Sequence, residues 1–149
     1  MGSHDFTEIT SGLRFPEGPV VMPDGSIVLV EINGGRVTRV DPATGTKTVI
    51  AEGLKGPNGL ALGPDGMLYL CTNGGFGWIE EGGTLMPHET APDYAGGSIQ
   101  RVDPVTGTVE TLYTHAAKSS CAGRTTSCSM RRAASGSPIS ARSGGATRM

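Results

Sequence analysis

Residues 15–32 read FPEGPVVMPDGSIVLVEI, and 41 residues later the chain repeats this pattern as GPNGLALGPDGMLYLCTN (56–73). In both copies a Pro-Asp-Gly segment separates two apolar runs. Proline presets the first dihedral of a tight turn and glycine accepts a positive φ, so each segment predicts a turn between two strands. The repeated text therefore predicts two copies of one antiparallel unit.

A second pair of segments extends each copy. GGRVTRVDPATGTKTVI (34–50) matches GGSIQRVDPVTGTVETLY (96–113) at an offset of 62, so the second copy carries about 21 extra residues. These extra residues, 74–95, contain several aromatic side chains and predict a surface loop or a lid over a site. The strands are expected near 18–22, 26–32, 36–41 and 46–51, then near 59–63, 67–73, 98–103 and 108–114.

Four short strands in a repeat of about 40 residues are typical of a β-propeller blade. The alternative is a β-sandwich or jelly roll with similar turns. The paired motifs favour an all-β, β-propeller fold in a partial domain at 1–115, with blades at 15–55 and 56–115. Propellers close with about four blades or more. Two blades would leave an unpaired edge near 59–63 or 108–114, and we expect edge-strand self-association there.

The composition changes abruptly after His115. Residues 1–115 hold all 14 acidic residues and six Lys or Arg, a net charge of −8, whereas residues 116–149 hold no acidic residue and six Lys or Arg, a net charge of +6. Few large apolar residues follow, so 116–149 is expected to be a non-homologous, disordered basic tail. No nucleic-acid partner is expected, although basic tails of this kind are often interaction arms.

Two origins for the tail stay open: a natural basic terminus, or a slip of the reading frame near His115. A shifted frame permits the text PNDLVFDAAGGFWFTD across the run that starts at Arg124. This text has an apolar strand, a turn and an aromatic strand. It begins about 67 residues after Pro57, where a third copy of the repeat would start.

Several other classes of protein find no support. No apolar stretch approaches the roughly 20 residues that span a bilayer, and the first residues, MGSHDFTEIT, lack the apolar core of a signal peptide. The three cysteines form neither a disulfide framework nor a zinc pattern. No Gly-x-Ser-x-Gly elbow or phosphate-binding loop is present, and the histidines share no motif (His4, His88 and His115). We expect a cytoplasmic, reduced protein without a membrane partner.

The motifs FPEGP (15–19), GPNG (56–59) and the paired RVDPxTG turns, with the permitted PNDLVFD text, resemble the senescence marker protein (regucalcin)/gluconolactonase/luciferin-regenerating-enzyme-like family. The resemblance covers about residues 10–115, roughly the first third of a typical member. It implies a six-bladed propeller with one divalent cation, Ca²⁺ or Zn²⁺, on the central axis. A Glu at the start of blade one, an Asn from the Pro-Asn-Asp element and a later Asp hold that cation. Typical members hydrolyse sugar lactones, and the metal would polarise the lactone carbonyl and activate water.

Three residues are candidates for the site. Glu17 matches the first metal ligand, since it lies between a proline and a glycine just before an innermost strand, and a carboxylate suits a hard cation. Its alternative is a solvated loop acid. Asn58 occupies the same place in copy two, where the resemblance implies a substrate or metal-water contact, and its alternative is a turn residue. Asn73 could reach the channel mouth as a second substrate-binding residue, but Asn-Gly-Gly is ordinarily a turn. No catalytic residue is assigned.

These residues predict a fragment of a metal-dependent, gluconolactonase-like sugar-lactone hydrolase. The Asn ligand exists only in the shifted frame and the later Asp lies beyond residue 149. One carboxylate and one amide leave a cation short of oxygens, so we expect the chain itself to be inactive. The second hypothesis is a non-catalytic, propeller-derived binding or scaffold module with a basic interaction tail.

Overall fold

The computed structural model describes residues 6–116 and 119–120. Within these residues the chain forms strands and turns without a helix, which confirms the all-β prediction. The predicted strands lie within one or two residues of the observed ones. The strands are β1 (Pro16–Val21), β2 (Ile27–Glu31), β3 (Arg36–Val40), β4 (Lys47–Ala51), β5 (Pro57–Leu62), β6 (Leu68–Thr72), β7 (Phe76–Glu81), β8 (Thr84–Thr90), β9 (Ser98–Val102), β10 (Val109–Tyr113), β11 (His115–Ala116) and β12 (Ser119–Ser120).

The first four strands form one antiparallel sheet in the order β1-β2-β3-β4. The Pro-Asp-Gly turn that joins β1 to β2 is closed by the Gly25 amide, which donates to the Met22 carbonyl at 2.9 Å. Asp24 Oδ1 accepts from the Ser26 amide at 3.0 Å, and Gly25 has a φ of 84°. Because these turn residues act through local preferences, this sheet could be predicted from the sequence.

The second sheet has the same construction, in the order β5-β6-β9-β10. Its turns repeat those of the first sheet, with Asp65 accepting from the Met67 amide and Asp103 accepting from the Val105 amide. Between β6 and β9 the chain leaves the sheet and forms a separate two-stranded hairpin, β7–β8. Within the 74–95 segment, residues 76–90 therefore form a β-hairpin rather than an irregular loop, and its role as a lid over a site stays a prediction.

The core lies between the two sheets. Alternate residues of each strand point to opposite faces, and one face of the first sheet packs on one face of the second. The fully buried side chains at this interface are Val28, Val30, Val37, Leu68, Leu70 and Val102. Fully burying an aliphatic side chain contributes about 1.5–3 kcal/mol. The apolar residues of the two repeats thus form one shared core.

The segment before β1 also contacts the first sheet. The segment before β1 hydrogen-bonds along this sheet: Thr10 Oγ1 donates to the Gly45 carbonyl at 3.0 Å, and Lys47 Nζ donates to the Ser11 carbonyl at 2.5 Å. At its end, the Ile32 amide donates to the Phe15 carbonyl at 2.9 Å. This segment determines how the chain enters β1.

The second sheet ends on β5 and β10, the strands in which the sequence predicts unpaired edges. Beyond Tyr113, β11 and β12 pair antiparallel, with His115 opposite Ser120. The expected disorder of the basic tail concerns residues that otherwise lie outside the described part of the chain. Among the described residues no helix is long and apolar enough to cross a membrane.

Candidate cation and substrate site

The first strands of the two sheets, β1 and β5, meet at the end where both begin. Gly18 has a φ of 56°, and a methyl group in place of its hydrogen would lie 2.8 Å from the Leu60 nitrogen and 3.3 Å from the Asn58 carbonyl oxygen. Only glycine allows two backbones to approach this closely in this conformation. The contact brings Glu17 and Asn58, at equivalent places in the repeats, to the same end of the two sheets.

Glu17 lies at the start of β1, opposite Val30. The pairing of β1 with β2 is irregular between Glu17 and Val20, and such bulges re-aim side chains and are frequent beside functional sites. Glu17 is exposed. Within the described part of the chain its carboxylate accepts no hydrogen bond and forms no ion pair, so both oxygens can bind a ligand.

Asn58 is the second residue of β5 and is half-buried. Its carbonyl faces Gly18, whereas its carboxamide forms no hydrogen bond with any described residue. Within the described residues the turn after Pro57 therefore receives no hydrogen bond from this side chain. The carboxamide can offer both a donor and an acceptor at this end of the sheets.

Asn73 follows β6 and has a different environment. Its Oδ1 accepts from the Gly75 amide at 2.8 Å, and its backbone amide donates to the Gly56 carbonyl at 2.8 Å. The side chain thus stabilises the turn that leads into the hairpin, as the Asn-Gly-Gly text indicates. Its Nδ2 is buried and has no hydrogen-bond partner among the described residues.

The hairpin lies beside the segment that leads into β1. The ring of Trp78 packs edge-on against Phe15 with 5.1 Å between centroids and 60° between planes, and Phe76 packs against Trp78 at 6.1 Å. A cavity of about 390 Å³ opens at this end of the sheets, lined by Trp78, Phe76, Lys55, Asp93, Asn33 and the glycines of the adjoining turns. The aromatic residues of 74–95 favoured a lid, but no feature of the neighbouring sequence indicated that Trp78 contacts Phe15.

Glu31, a buried acid near this end of the sheets, was not identified by the sequence analysis. Glu31 is fully buried, and its carboxylate accepts from Arg36 Nε at 2.8 Å, Arg36 Nη2 at 2.9 Å, Thr38 Oγ1 at 2.6 Å and the Arg14 amide at 2.7 Å. Burial favours a raised pKa for Glu31, but the hydrogen bonds from Arg36, Thr38 and Arg14 outweigh it and lower the pKa. The sequence signal that could have identified this residue is the presence of one acid, Glu31, in the apolar run IVLVEI (27–32).

Residues 15–116 match the family described as the SMP-30/Gluconolactonase/LRE-like region. The chain belongs to this family. The two four-stranded sheets are blades of its β-propeller, as the repeats predict. No curated protein matches the chain.

Solved structures add a comparison of fold. Nine chains match, among them the PQQ-bound form of aldose sugar dehydrogenase (Adh) from Streptomyces coelicolor, with 24% sequence identity and a TM-score of 0.48. The match covers 69% of this chain and 31% of that one. The SMP-30/gluconolactonase-like chain therefore spans about a third of the length of that structure.

A cation on the axis of this SMP-30/gluconolactonase-like chain would need more ligands than the described residues bring together. Ca²⁺ takes about six to eight oxygens, whereas Glu17 and Asn58 offer one carboxylate and one carboxamide. Among residues 6–116 and 119–120, no group of three or more His, Cys, Asp or Glu could hold a metal ion. His88 is exposed and lies 3.6 Å from Glu89 on the hairpin. The described residues alone do not fit a complete cation site.

Proposed function

We propose that this chain is the amino-terminal two blades of a metal-dependent, gluconolactonase-like sugar-lactone hydrolase. One observation carries the proposal: the contact of Gly18 with Asn58 and Leu60 brings Glu17 and Asn58 to one end of adjacent first strands. The Glu17 carboxylate and the Asn58 carboxamide have no hydrogen-bond partner among the described residues, and in a family of sugar-lactone propellers these two groups suit a cation and a polyhydroxylated substrate.

In this proposal Glu17 is one ligand of a divalent cation, Ca²⁺ or Zn²⁺, and the remaining ligands come from outside the two blades. Asn58 hydrogen-bonds a sugar lactone, because a carboxamide can both donate to and accept from hydroxyl groups. Asn73 is a second substrate-binding residue at the mouth of the channel, with its Oδ1 accepting from the Gly75 amide at the start of the hairpin. These roles require no nucleic acid and no membrane.

The 149-residue chain itself is proposed to be inactive, and its tail to arise from a slip of the reading frame near His115. The family match ends at residue 116, next to the change in composition. Sequencing the coding DNA tests the slip. A single-base edit that restores PNDLVFD and further blades in frame supports it, whereas an intact stop after Met149 in independent isolates favours the non-catalytic module.

The activity test compares the 149-residue chain with the frame-restored, full-length protein. We expect chelator-sensitive lactone hydrolysis only in the longer protein. There, Glu17→Gln should lower cation affinity and activity together, because it removes the charge and keeps the shape. Asn58→Ala should mainly impair turnover or substrate affinity, with cation binding largely kept.

Glu80→Gln is the matched control, since Glu80 is an exposed acid on the hairpin, and it should change neither property. Chelator-sensitive hydrolysis by the 149-residue chain would contradict its proposed inactivity. Full activity of the Glu17→Gln protein would contradict the proposed site.

A further inference from the structure

The backbone of Phe15 is strained at the residue that leads into β1. Phe15 has a φ of 58°, and among the described residues other than glycine it alone has a positive φ. Bulky side chains rarely adopt this left-handed conformation. Such strain persists only where the surroundings hold it, and it clusters at functional sites. Glu17 lies two residues further along.

Phe15 accepts a backbone hydrogen bond and packs against an aromatic ring. The Ile32 amide donates to its carbonyl at 2.9 Å, and the ring of Trp78 packs on its ring at 5.1 Å. The first contact comes from the end of β2 in the same sheet. The second comes from the hairpin, which has no counterpart in the first repeat.

Side-chain contacts tie both ends of the hairpin to the neighbouring turns. Asn73 Oδ1 holds the Gly75 amide at 2.8 Å where the hairpin begins, and Lys55 pairs with Asp93 at 2.5 Å where it ends. The register of β7 against β8 shifts between Phe76 and Trp78. A shift of this kind changes the direction of the neighbouring side chain.

We propose that the hairpin is a positioning element for Glu17. Trp78 packs on Phe15 and keeps it in the left-handed conformation, which sets the direction in which the chain enters β1 and therefore the place of the Glu17 carboxylate. Trp78 is a positioning residue, because it acts through Phe15 rather than on substrate or cation. This inference rests on the proposed function in taking Glu17 as a cation ligand.

The first experiment measures hydrogen exchange of the Ile32 amide by NMR in the 149-residue chain. Trp78→Ala should speed exchange about fivefold, the effect of losing one aromatic pair, and Trp78→Phe should largely restore protection. Ile79→Ala is the matched control, since Ile79 is the next hairpin residue and is 42% exposed. Equal exchange in Trp78→Ala and Ile79→Ala would overturn the inference.

A double variant separates positioning from simple loss of packing. Glycine adopts a positive φ without support, so Phe15→Gly combined with Trp78→Ala should regain most of the Ile32 protection lost in Trp78→Ala alone. If the double variant loses more protection than the single one, the contact only adds packing energy and the inference fails. Trp78 is the only tryptophan, and its emission should shift to longer wavelength in Phe15→Ala.

The second experiment titrates Ca²⁺ into the frame-restored, full-length protein, in which the proposed function supplies the remaining ligands, and follows the Glu17 and Val30 amides by NMR. In that protein Trp78→Ala should weaken the Ca²⁺ affinity about fivefold, the double variant should regain it, and Ile79→Ala should leave it unchanged. A wild-type Glu17 amide that does not respond to Ca²⁺ would overturn the ligand role in the proposed function. Ca²⁺ affinity that is unchanged in Trp78→Ala, with a wild-type response present, would overturn only this inference.

Discussion

Gly18 of β1 lies so close to Leu60 of β5 that a methyl group at position 18 would come within 2.8 Å of the Leu60 nitrogen. At this end of the interface the two sheets meet backbone against backbone. The same end carries Glu17 and Asn58. Substitutions here test the packing of the two blades directly, without a ligand.

Gly18→Ala should destabilise the chain by about 3 kcal/mol, the sum of left-handed strain and a backbone clash. Gly25→Ala is the matched control, because Gly25 has a φ of 84° and nothing lies within 4 Å of the added methyl. It should cost only the strain, about 1 kcal/mol. Urea unfolding of both variants measures the difference. Equal costs would show that the two strands separate readily at Gly18.

Glu31→Gln should lower the free energy of unfolding by about 2 kcal/mol, because the buried Glu31 carboxylate loses its charge-assisted hydrogen bonds from Arg36, whose own side chain is 30% exposed. The control is Glu110→Gln. Glu110 pairs with Arg101 at 2.6 Å, but both side chains are well exposed, so the loss should stay below about 1 kcal/mol. Urea unfolding near neutral pH compares the two. A Glu31→Gln chain as stable as the control would show that the hydrogen bonds from Arg36 contribute nothing to stability.

Lowering the pH should remove the contribution of the Glu31 carboxylate to the stability of the folded chain. Its folded pKa lies below the ordinary value of 4.5, so the unfolded chain takes up the proton first as the pH falls. The stabilisation is complete above pH 4.5 and is lost as the pH falls through the lower folded pKa. The stability difference between wild type and Glu31→Gln should therefore shrink from about pH 7 to about pH 3. A difference that stays constant with pH would contradict this assignment.

The edge at β10 should promote self-association. Tyr113 is 57% exposed on this outer strand, and a lysine on an edge strand opposes pairing with another chain. Sedimentation of wild type should show association that increases with concentration, and Tyr113→Lys should reduce it. Val105→Lys, at an exposed residue in the turn before β10, is the control and should change little. Equal association of all three chains would place the contact elsewhere.

The sequence predicts most of the fold, because its strands and turns depend on local preferences. Pro-Asp-Gly at 23–25 and again at 64–66 favours tight turns whatever packs around it, and the recurrence at fixed offsets identifies two equal units. The sequence of residues 74–95 was less informative about its secondary structure. Its register depends on pairing between β7 and β8, so a loop and a hairpin looked alike in the sequence.

Some features of the candidate site could also be predicted from the sequence, and others could not. Glu17 and Asn58 were predictable, since equivalent positions of a repeat lie at the same end of their sheets, and Asn73 carried a recognisable turn signal. The partners of Glu31 were not predictable beyond the presence of an acid in an apolar strand. Arg36 and Thr38 become its donors only when β2 and β3 pair.

By itself, the sequence determined the two repeats, their strands and their turns, because glycine, proline and alternating apolar residues act on dihedrals and faces within a few residues of themselves. Only the tertiary structure decided that Gly18 lies against Leu60 and that the ring of Trp78 packs on Phe15. These contacts join residues 42 and 63 positions apart. Their geometry depends on how whole sheets pack, which no short stretch of sequence specifies.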